Sequence, residues 1–261
     1  MYPHHHESID ILTNMLKQDP NIRALIIGGS LAKGWGSEGS DIDCYIVVTA
    51  ERFAALRQAG QIQYFNNTIC TYPGGYIDGK YIDEDWLRAC AERGSEPARA
   101  SFWHAWPAFS RIPDLDALIR QISVYPTHKK KDNIRRFHAQ FYAYGWYVEE
   151  GRKRDNLYLV SHSLNQLLFF GSRMILAHNE ILYPYHKWLL KVLADVPHKP
   201  DQLLEVMQEC LSTRAPEPVQ RYRDMIENFT AWPAPDVDWP NTFMLDSEWN
   251  WLDREPPITD I

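Results

Sequence analysis

Two aspartates separated by a single residue are the first feature of this sequence with a clear chemical use. Side chains on a β-strand alternate between its faces, so Asp41 and Asp43 are expected on one face while Ile42 points into the core. Two carboxylates in so small a volume repel each other unless a cation neutralises them. Mg²⁺ takes one or two protein carboxylates and completes its octahedron with water and substrate phosphates. The spacing therefore predicts a metal site at these aspartates.

A glycine-rich turn precedes the two acids. Gly28, Gly29 and Ser30 follow an apolar run and open a short helical turn, whose free N–H groups favour an anion. Gly29 lets a phosphate approach the backbone and Ser30 adds a hydroxyl donor. Lys33 and Ser40 complete the predicted nucleotide-binding set of this segment. A phosphate site beside a metal site is the arrangement used for phosphoryl or nucleotidyl transfer.

Two common phosphate-binding patterns do not occur. A Walker A loop needs Gly-Lys-Ser/Thr after its spacer, and a dinucleotide fingerprint needs GxGxxG. Instead, the segment GGSLAKGWGSEGSDIDCYIVV resembles the signature of the nucleotidyltransferase superfamily, the fold of the DNA polymerase β catalytic domain. That signature is a hydrophobic strand, Gly-Ser, a short helix ending near a glycine, and Asp-x-Asp on the next strand. This sequence matches it at Gly29, Ser30, Gly34, Asp41 and Asp43.

The resemblance implies a fold, a co-substrate and a third acid. Overall, the chain looks most like bacterial two-domain proteins related to aminoglycoside and lincosamide nucleotidyltransferases, which use Mg²⁺ and a nucleoside triphosphate such as ATP. Enzymes of this fold generally carry a third carboxylate on a later strand, which completes the metal site and accepts the proton of the acceptor hydroxyl. Asp78, in the middle of a predicted strand, is preferred over Asp83, which capping of the following helix already explains.

Other candidate substrate contacts lie further along the chain. Arg99 follows a Ser-Glu-Pro helix start and is predicted to reach the triphosphate. Lys187, within an aromatic stretch that also holds His186, is a second candidate for the phosphates. Glu149 and Glu150 belong to a charge run that is more typical of a solvated helix face than of a site. The histidines at positions 4 to 6 are expected at the surface.

The pattern of elements predicts an α+β fold. Short β-branched or aromatic runs separated by glycine-rich turns indicate a mixed sheet of strands at 22–29, 43–49, 62–67, 68–72 and 74–83. Helices are predicted at 50–60 and 86–94. After Pro113 long stretches with helical spacing take over, at 132–154, 156–179, 186–195, 201–211 and 219–230.

These patterns place a domain boundary between residues 125 and 126. The resemblance implies that residues 1–125 are a nucleotidyltransferase catalytic domain and that residues 126–261 are a C-terminal α-helical bundle that binds substrate. The Pro-, Trp- and acid-rich end, residues 232–261, is predicted to be irregular.

Composition narrows the function further. The 261 residues carry a net charge of −7, which argues against nucleic acid as a partner. The four cysteines form no CxxC pair, and no apolar run has the length of a membrane helix, so a cytoplasmic protein is expected. The expected function is Mg²⁺-dependent transfer of a nucleoside monophosphate, AMP from ATP, to a hydroxyl of a small, antibiotic-like molecule. The alternatives are transfer to a protein or RNA, as in toxin–antitoxin modules, and a relative that binds nucleotide without turnover.

Overall fold

The computed structural model describes residues 1–233, 238–253 and 255–261. The chain forms two compact units, an N-terminal unit, Met1–Val124, and a C-terminal unit, Tyr125–Ile261.

The N-terminal unit is an α/β arrangement in which short helices separate the strands. Its elements are α1 (Pro3–Leu16), β1 (Ile22–Ile27), α2 (Gly29–Ala32), β2 (Ile42–Val48), α3 (Ala50–Gln58), β3 (Gln63–Asn66), β4 (Ile77–Ile82), α4 (Glu84–Arg93), α5 (Glu96–Ala100), β5 (Trp106–Ser110) and α6 (Leu115–Ile122).

The strands form one mixed sheet in the order β3-β4-β2-β1-β5. Strand β2 lies antiparallel to β1 and parallel to β4, and β3 lies antiparallel to β4. The α+β fold with a mixed sheet predicted from the sequence is thus confirmed. The parallel pair β2 and β4 matters most for the site, because it brings two segments distant in sequence side by side.

Both faces of the sheet are covered, but by different elements. On one face, Leu25, Ile46 and their neighbours pack against Ile9 and Leu12 of α1. On the other, residues of β1 and β2 pack against apolar side chains of α4 and α6, including Leu87 and Ile119. Successive side chains of β2 point to opposite faces of the sheet, so its apolar run contributes residues to the apolar clusters on both faces.

The structure corrects several predicted elements. Residues 68–72 form bends and turns, not a strand. Helices α1 and α6 and strand β5, which contains Pro107, were not predicted. Proline is tolerated there because β5 lies at the edge of the sheet. The predicted helices at 50–60 and 86–94 are present as α3 and α4.

The described part of the C-terminal unit consists of helices and their connections. These are α7 (Lys130–Lys153), α8 (Leu157–His178), α9 (Leu189–Asp195), α10 (Leu203–Thr213), α11 (Pro216–Glu227) and α12 (Trp239–Phe243), with 3₁₀ turns at Thr127–Lys129, His186–Trp188 and Ile258–Asp260. The predicted helical bundle is therefore confirmed as a helical region.

The chain end is more ordered than predicted. Helix α12 continues into a π-helical turn, Met244–Glu248, which Arg136 of α7 binds through Asp246 at 2.7 Å. The prediction of irregular structure is wrong for these residues, while residues 234–237 and 254 of that segment lie outside the described ones. Among the described helices, none combines the length and the apolar character needed to cross a lipid bilayer.

Candidate active site

Three acids lie in the region where β2 and β4 run side by side. Asp43 is paired in register with Asp78 across these parallel strands, so their side chains share one face of the sheet. Asp41 lies one residue before β2 begins at Ile42. Its charge and that of Asp78 both act on Asp43. The structure thus brings together the three carboxylates that the sequence singled out.

The glycine turn is built against Asp43. The Gly28 N–H donates to the Asp43 carbonyl at 3.0 Å, which fixes the start of α2 beside β2. Gly29 adopts φ +64, and a Cβ placed there would overlap the Asp43 carboxylate. A left-handed φ and the lack of room both require glycine at this position. The first turn of α2 and the carboxylate therefore lie in direct contact.

Burial and like charges shape the protonation of this site. The pKa of Asp43 is raised, first by burial and then by the charge of Asp41, while Lys80 and Lys33 oppose the shift. Burial lowers the pKa of Lys33, which the Asp43 charge partly restores. The Lys33 Nζ donates to the Gly29 carbonyl at 3.2 Å. Lys33 is thus held between the glycine turn and the acids, where a phosphate would meet a positive charge.

Two neighbours of the acids were not assigned a role from the sequence. The Gln63 Nε2 donates to Asp78 Oδ1 at 3.0 Å from the edge strand β3. The pKa of Tyr76 is raised chiefly by the charge of Asp41. Alternation along the strand places Tyr76 on the face of Asp78, but nothing in the sequence reveals the pairing of β3 with β4 that brings Gln63 there.

The alternative third carboxylate, Asp83, has a different environment. It is the N-cap of α4, and its Oδ1 accepts from the Trp86 N–H at 2.8 Å. Position in the sheet and hydrogen bonding therefore favour Asp78 as the partner of Asp43.

Arg99 is placed differently from its predicted role. Its side chain is only 5% exposed. The guanidinium donates to the carbonyls of Ile122 and Val124 at 3.1 and 3.0 Å, and also to that of Ala91. These bonds tie α5 to the ends of α4 and α6. The predicted contact with a triphosphate conflicts with this arrangement, because the guanidinium is buried and already bonded to backbone carbonyls.

The two serines differ in their surroundings. Ser30 lies buried in the first turn of α2, next to Gly29. The Ser40 hydroxyl oxygen accepts from the Ser37 N–H at 2.8 Å and closes the turn that leads to Asp41. Ser30 is thus next to the acids, whereas the Ser40 hydroxyl shapes the loop.

The remaining candidates lie in the C-terminal unit. Lys187 and His186 form part of a 3₁₀ turn, with the Lys187 Nζ 5.2 Å from the centre of the Trp188 ring. Their predicted role toward substrate stays a prediction. Glu149 pairs with Arg152, and Glu150 pairs with Lys153 at 2.8 Å, as expected of a solvated charge run.

The donor set fits a hard cation without forming a complete cage. Across residues 1–233, 238–253 and 255–261, no three His, Cys, Asp or Glu side chains are grouped closely enough to hold a metal ion. Asp41, Asp43 and Asp78 are therefore not a preformed three-ligand site. Their oxygens still suit Mg²⁺, which needs only one or two protein carboxylates when phosphate oxygens supply further ligands.

Part of the N-terminal unit is similar to a known domain family. Residues 9–75 match the model of the nucleotidyltransferase domain family, a stretch that holds the glycine turn, Asp41 and Asp43 and ends before Asp78. None of the curated proteins compared with the chain matches it. Among solved structures, the chain is similar to a nucleotidyltransferase-like protein from Exiguobacterium sibiricum 255-15, with 10% identity and a TM-score of 0.50. The alignment covers 97% of this chain and 81% of that one, and the likeness is one of fold.

Proposed function

We propose that the protein is a Mg²⁺-dependent nucleotidyltransferase that moves a nucleoside monophosphate, AMP from ATP, onto a hydroxyl of a small molecule. The observation that carries this proposal is the register of β2 and β4, which pairs Asp43 with Asp78 beside the glycine turn. The match of residues 9–75 to the nucleotidyltransferase domain supports the general reaction class.

The reaction assigns a separate task to each part of the site. The acceptor oxygen attacks the α-phosphorus of ATP, the bond from that phosphorus to the leaving pyrophosphate breaks, and the hydroxyl proton passes to a carboxylate. Asp78 is the proposed base, because it lies beside Asp43 and its Oδ1 is held by Gln63. The hydrogen bond from Gln63 fixes one carboxylate oxygen and leaves the other for the proton.

The phosphates meet the first turn of α2. Gly29, Ser30 and Lys33 offer backbone N–H groups, a hydroxyl and an ammonium next to Asp43. When bound at Asp41 and Asp43, Mg²⁺ would neutralise phosphate charge and align the triphosphate. The charges of Lys33 and Lys80 offset only part of the effect of burial and repulsion at Asp43, whose pKa stays raised, so a cation there would be favourable.

The net charge of the chain bears on the choice of acceptor. An overall charge of −7 favours a cationic acceptor, such as an aminoglycoside- or lincosamide-like molecule, over an RNA. The second candidate, transfer to a protein as in toxin–antitoxin modules, uses the same acids and differs only in the acceptor.

The proposal is tested by incubating the purified chain with ATP labelled at the α-phosphate, Mg²⁺ and a panel of aminoglycosides, lincosamides, proteins and RNA. We expect label on a small molecule together with released pyrophosphate. Failure to release pyrophosphate from any nucleoside triphosphate with any acceptor would overturn the proposed activity.

Asp43→Asn is the decisive variant, because it keeps the size of the side chain and removes the charge. We expect loss of roughly 10³-fold or more in turnover, a magnitude typical of removing electrostatic stabilisation of the transition state. Asp116→Asn, an exposed acid in the first turn of α6, is the matched control and should keep full activity.

A further inference from the structure

One histidine near the start of the chain is buried, contrary to the prediction that all three are at the surface. His5 has 0% of its surface exposed, although His6 next to it is exposed. A buried imidazole requires partners for its ring nitrogens, since an unsatisfied polar atom away from water costs stability. The hydrogen-bond partners of the His5 ring therefore indicate its structural role.

The hydrogen bonds of His5 define its tautomer. Its Nδ1 lies 3.2 Å from the Tyr2 backbone nitrogen, whose N–H donates to it, so Nδ1 carries no hydrogen. This contact takes the place of the Glu or Gln in a capping box at the start of α1. Nε2 must then hold the ring hydrogen and donate it to the Ser40 carbonyl at 3.2 Å. Burial lowers the pKa of His5, which favours this neutral form.

Tyr72 reaches the same carbonyl from another segment. Its hydroxyl donates to the Ser40 carbonyl at 2.7 Å, and its ring meets that of His5 nearly edge-on, with centroids 4.9 Å apart. The loop that carries Tyr72 is fastened to α1 in turn, because the Thr71 N–H donates to Ser8 Oγ at 3.1 Å. Ser8 is itself fully buried. Two donors from separate parts of the sequence thus converge on one acceptor.

The residue they hold directly precedes the first acid. Asp41 lies outside β2, so no ladder bond of that strand fixes it, while the Ile42 N–H on its other side donates to the Tyr76 carbonyl at 3.0 Å. The backbone of Asp41 is therefore tethered at Ser40 and at Ile42. Loss of the bonds to the Ser40 carbonyl would therefore loosen the segment from Ser37 to Asp41, whose other contact with α1 is that of the His4 Nε2, 2.9 Å from the Glu38 carbonyl.

We propose that His5 and Tyr72 are positioning residues, here called the Ser40 clamp, that fix the Asp41 carboxylate relative to Asp43 by holding the Ser40 carbonyl. As a claim about turnover, this rests on the function proposed above; as a claim about backbone order, it stands independently of that function. The clamp acts through Ser40 and does not itself contact the reacting atoms.

The test compares variants that remove one donor each. Tyr72→Phe removes only the hydroxyl, His5→Leu removes both ring nitrogens, and His5→Gln retains an amide donor at the place of Nε2. We expect kcat to fall roughly 10- to 100-fold in Tyr72→Phe and His5→Leu, because small misplacements of reacting groups have effects of this size. KM for ATP should change less than about threefold, and His5→Gln should recover most of kcat.

Matched controls separate the clamp from general damage. Tyr81→Phe removes a hydroxyl on the opposite face of β4 from Asp78, and His6→Leu changes the exposed neighbour of His5. Both should keep the wild-type kcat. Thermal unfolding of every variant shows whether it folds. If a His5 variant does not fold, Tyr72→Phe, the smallest change, decides the test alone.

Hydrogen exchange supplies a readout that does not depend on activity. Amide exchange of residues 37–41 should become at least about tenfold faster in Tyr72→Phe and His5→Leu, but not in the controls. Unchanged exchange there, or faster exchange with an unchanged kcat, would overturn the proposal. If the wild-type chain transfers no nucleotide to any acceptor, the proposed function fails, and exchange alone then decides whether the clamp holds this segment.

Discussion

At the scale of single residues, the site combines acids that repel one another with Gly29, which lets the Asp43 carboxylate approach the backbone of α2. Asp43 is partly buried, faces the charges of Asp41 and Asp78, and touches the first turn of α2. Such an arrangement costs stability in the absence of a cation, because burial and repulsion both disfavour the ionised form. Activity and stability are therefore expected to respond in opposite directions to changes at Asp43.

The first prediction concerns the pH dependence of stability. The folded pKa of Asp43 lies above its ordinary value of 3.8, so the protonated acid contributes stability that is fully present below 3.8 and is lost as pH rises through the folded pKa. In metal-free protein at neutral pH, Asp43→Asn should therefore raise the free energy of unfolding by about 1 kcal/mol, a gain typical of stabilising substitutions. Urea unfolding between pH 3 and pH 8 checks this, with Asp116→Asn as the control. A variant less stable than wild type at neutral pH would contradict it.

The second prediction concerns Gly29. Replacement by alanine introduces a Cβ that overlaps the Asp43 carboxylate in a left-handed backbone conformation. We expect Gly29→Ala to lower kcat by about 100-fold, because Asp43 must move away from its position. Gly39→Ala is the matched control, since a Cβ there meets no atom within 4 Å. Steady-state transfer assays on both variants test the prediction, and equal activities would refute it.

At the scale of elements, the parallel pairing of β2 with β4 decides which later acid joins the site. Asp78 lies opposite Asp43 in this pairing, whereas Asp83 follows the end of β4 and caps α4. Strand β4 thus carries Asp78, which has a proposed chemical role, and Asp83 just after its end has a structural role. Arg99 shows the same distinction, since its predicted substrate contact gives way to bonds that join three helices.

The third prediction separates the two acids. Asp78→Asn should lower kcat by about 10²- to 10⁴-fold, the usual contribution of a general base. Asp83→Ala should leave kcat nearly unchanged and lower the free energy of unfolding by about 1 kcal/mol, the usual effect of losing an N-cap. Parallel kinetic and urea-unfolding measurements test both. The opposite pattern would transfer the role of third carboxylate to Asp83.

At the scale of the whole molecule, the N-terminal unit contains what its sheet needs for folding. The apolar clusters on both faces draw all their residues from positions 9 to 122. Arg99 donates to the Val124 carbonyl, which closes this unit at its last residue. A unit with its own two-sided core is expected to fold without further chain.

The fourth prediction follows from this organisation. A fragment of residues 1–124 should unfold in one cooperative transition, measured by circular dichroism in urea. A fragment ending at residue 113 should not, because it lacks Leu115, Ile119 and Ile122 of α6, which are part of one apolar cluster. Absence of a cooperative transition in the longer fragment would show that the unit depends on the remaining chain.

Local sequence patterns determined a substantial part of this picture. Short apolar, β-branched runs bounded by turn residues predicted β1 and β2, glycines with Ser30 predicted the turn between them, and the spacing of Asp41 and Asp43 predicted an acidic site. Asp83 and Ser95 were identified as helix caps from their positions alone, and both accept the expected N–H. These features depend on residues a few positions apart, so a single stretch of sequence contains the information.

Only the tertiary structure decided the features that depend on which distant segments become neighbours. The order of the strands brought Asp78 and Gln63 to Asp43, and the edge position of β5 made Pro107 acceptable in a strand. Burial turned Arg99 into a link between helices and gave His5 two hydrogen-bond partners. Sequence patterns contain residue types and spacing, but hydrogen bonds between residues 15 to 35 positions apart depend on how the whole unit assembles, and no local pattern encodes that assembly.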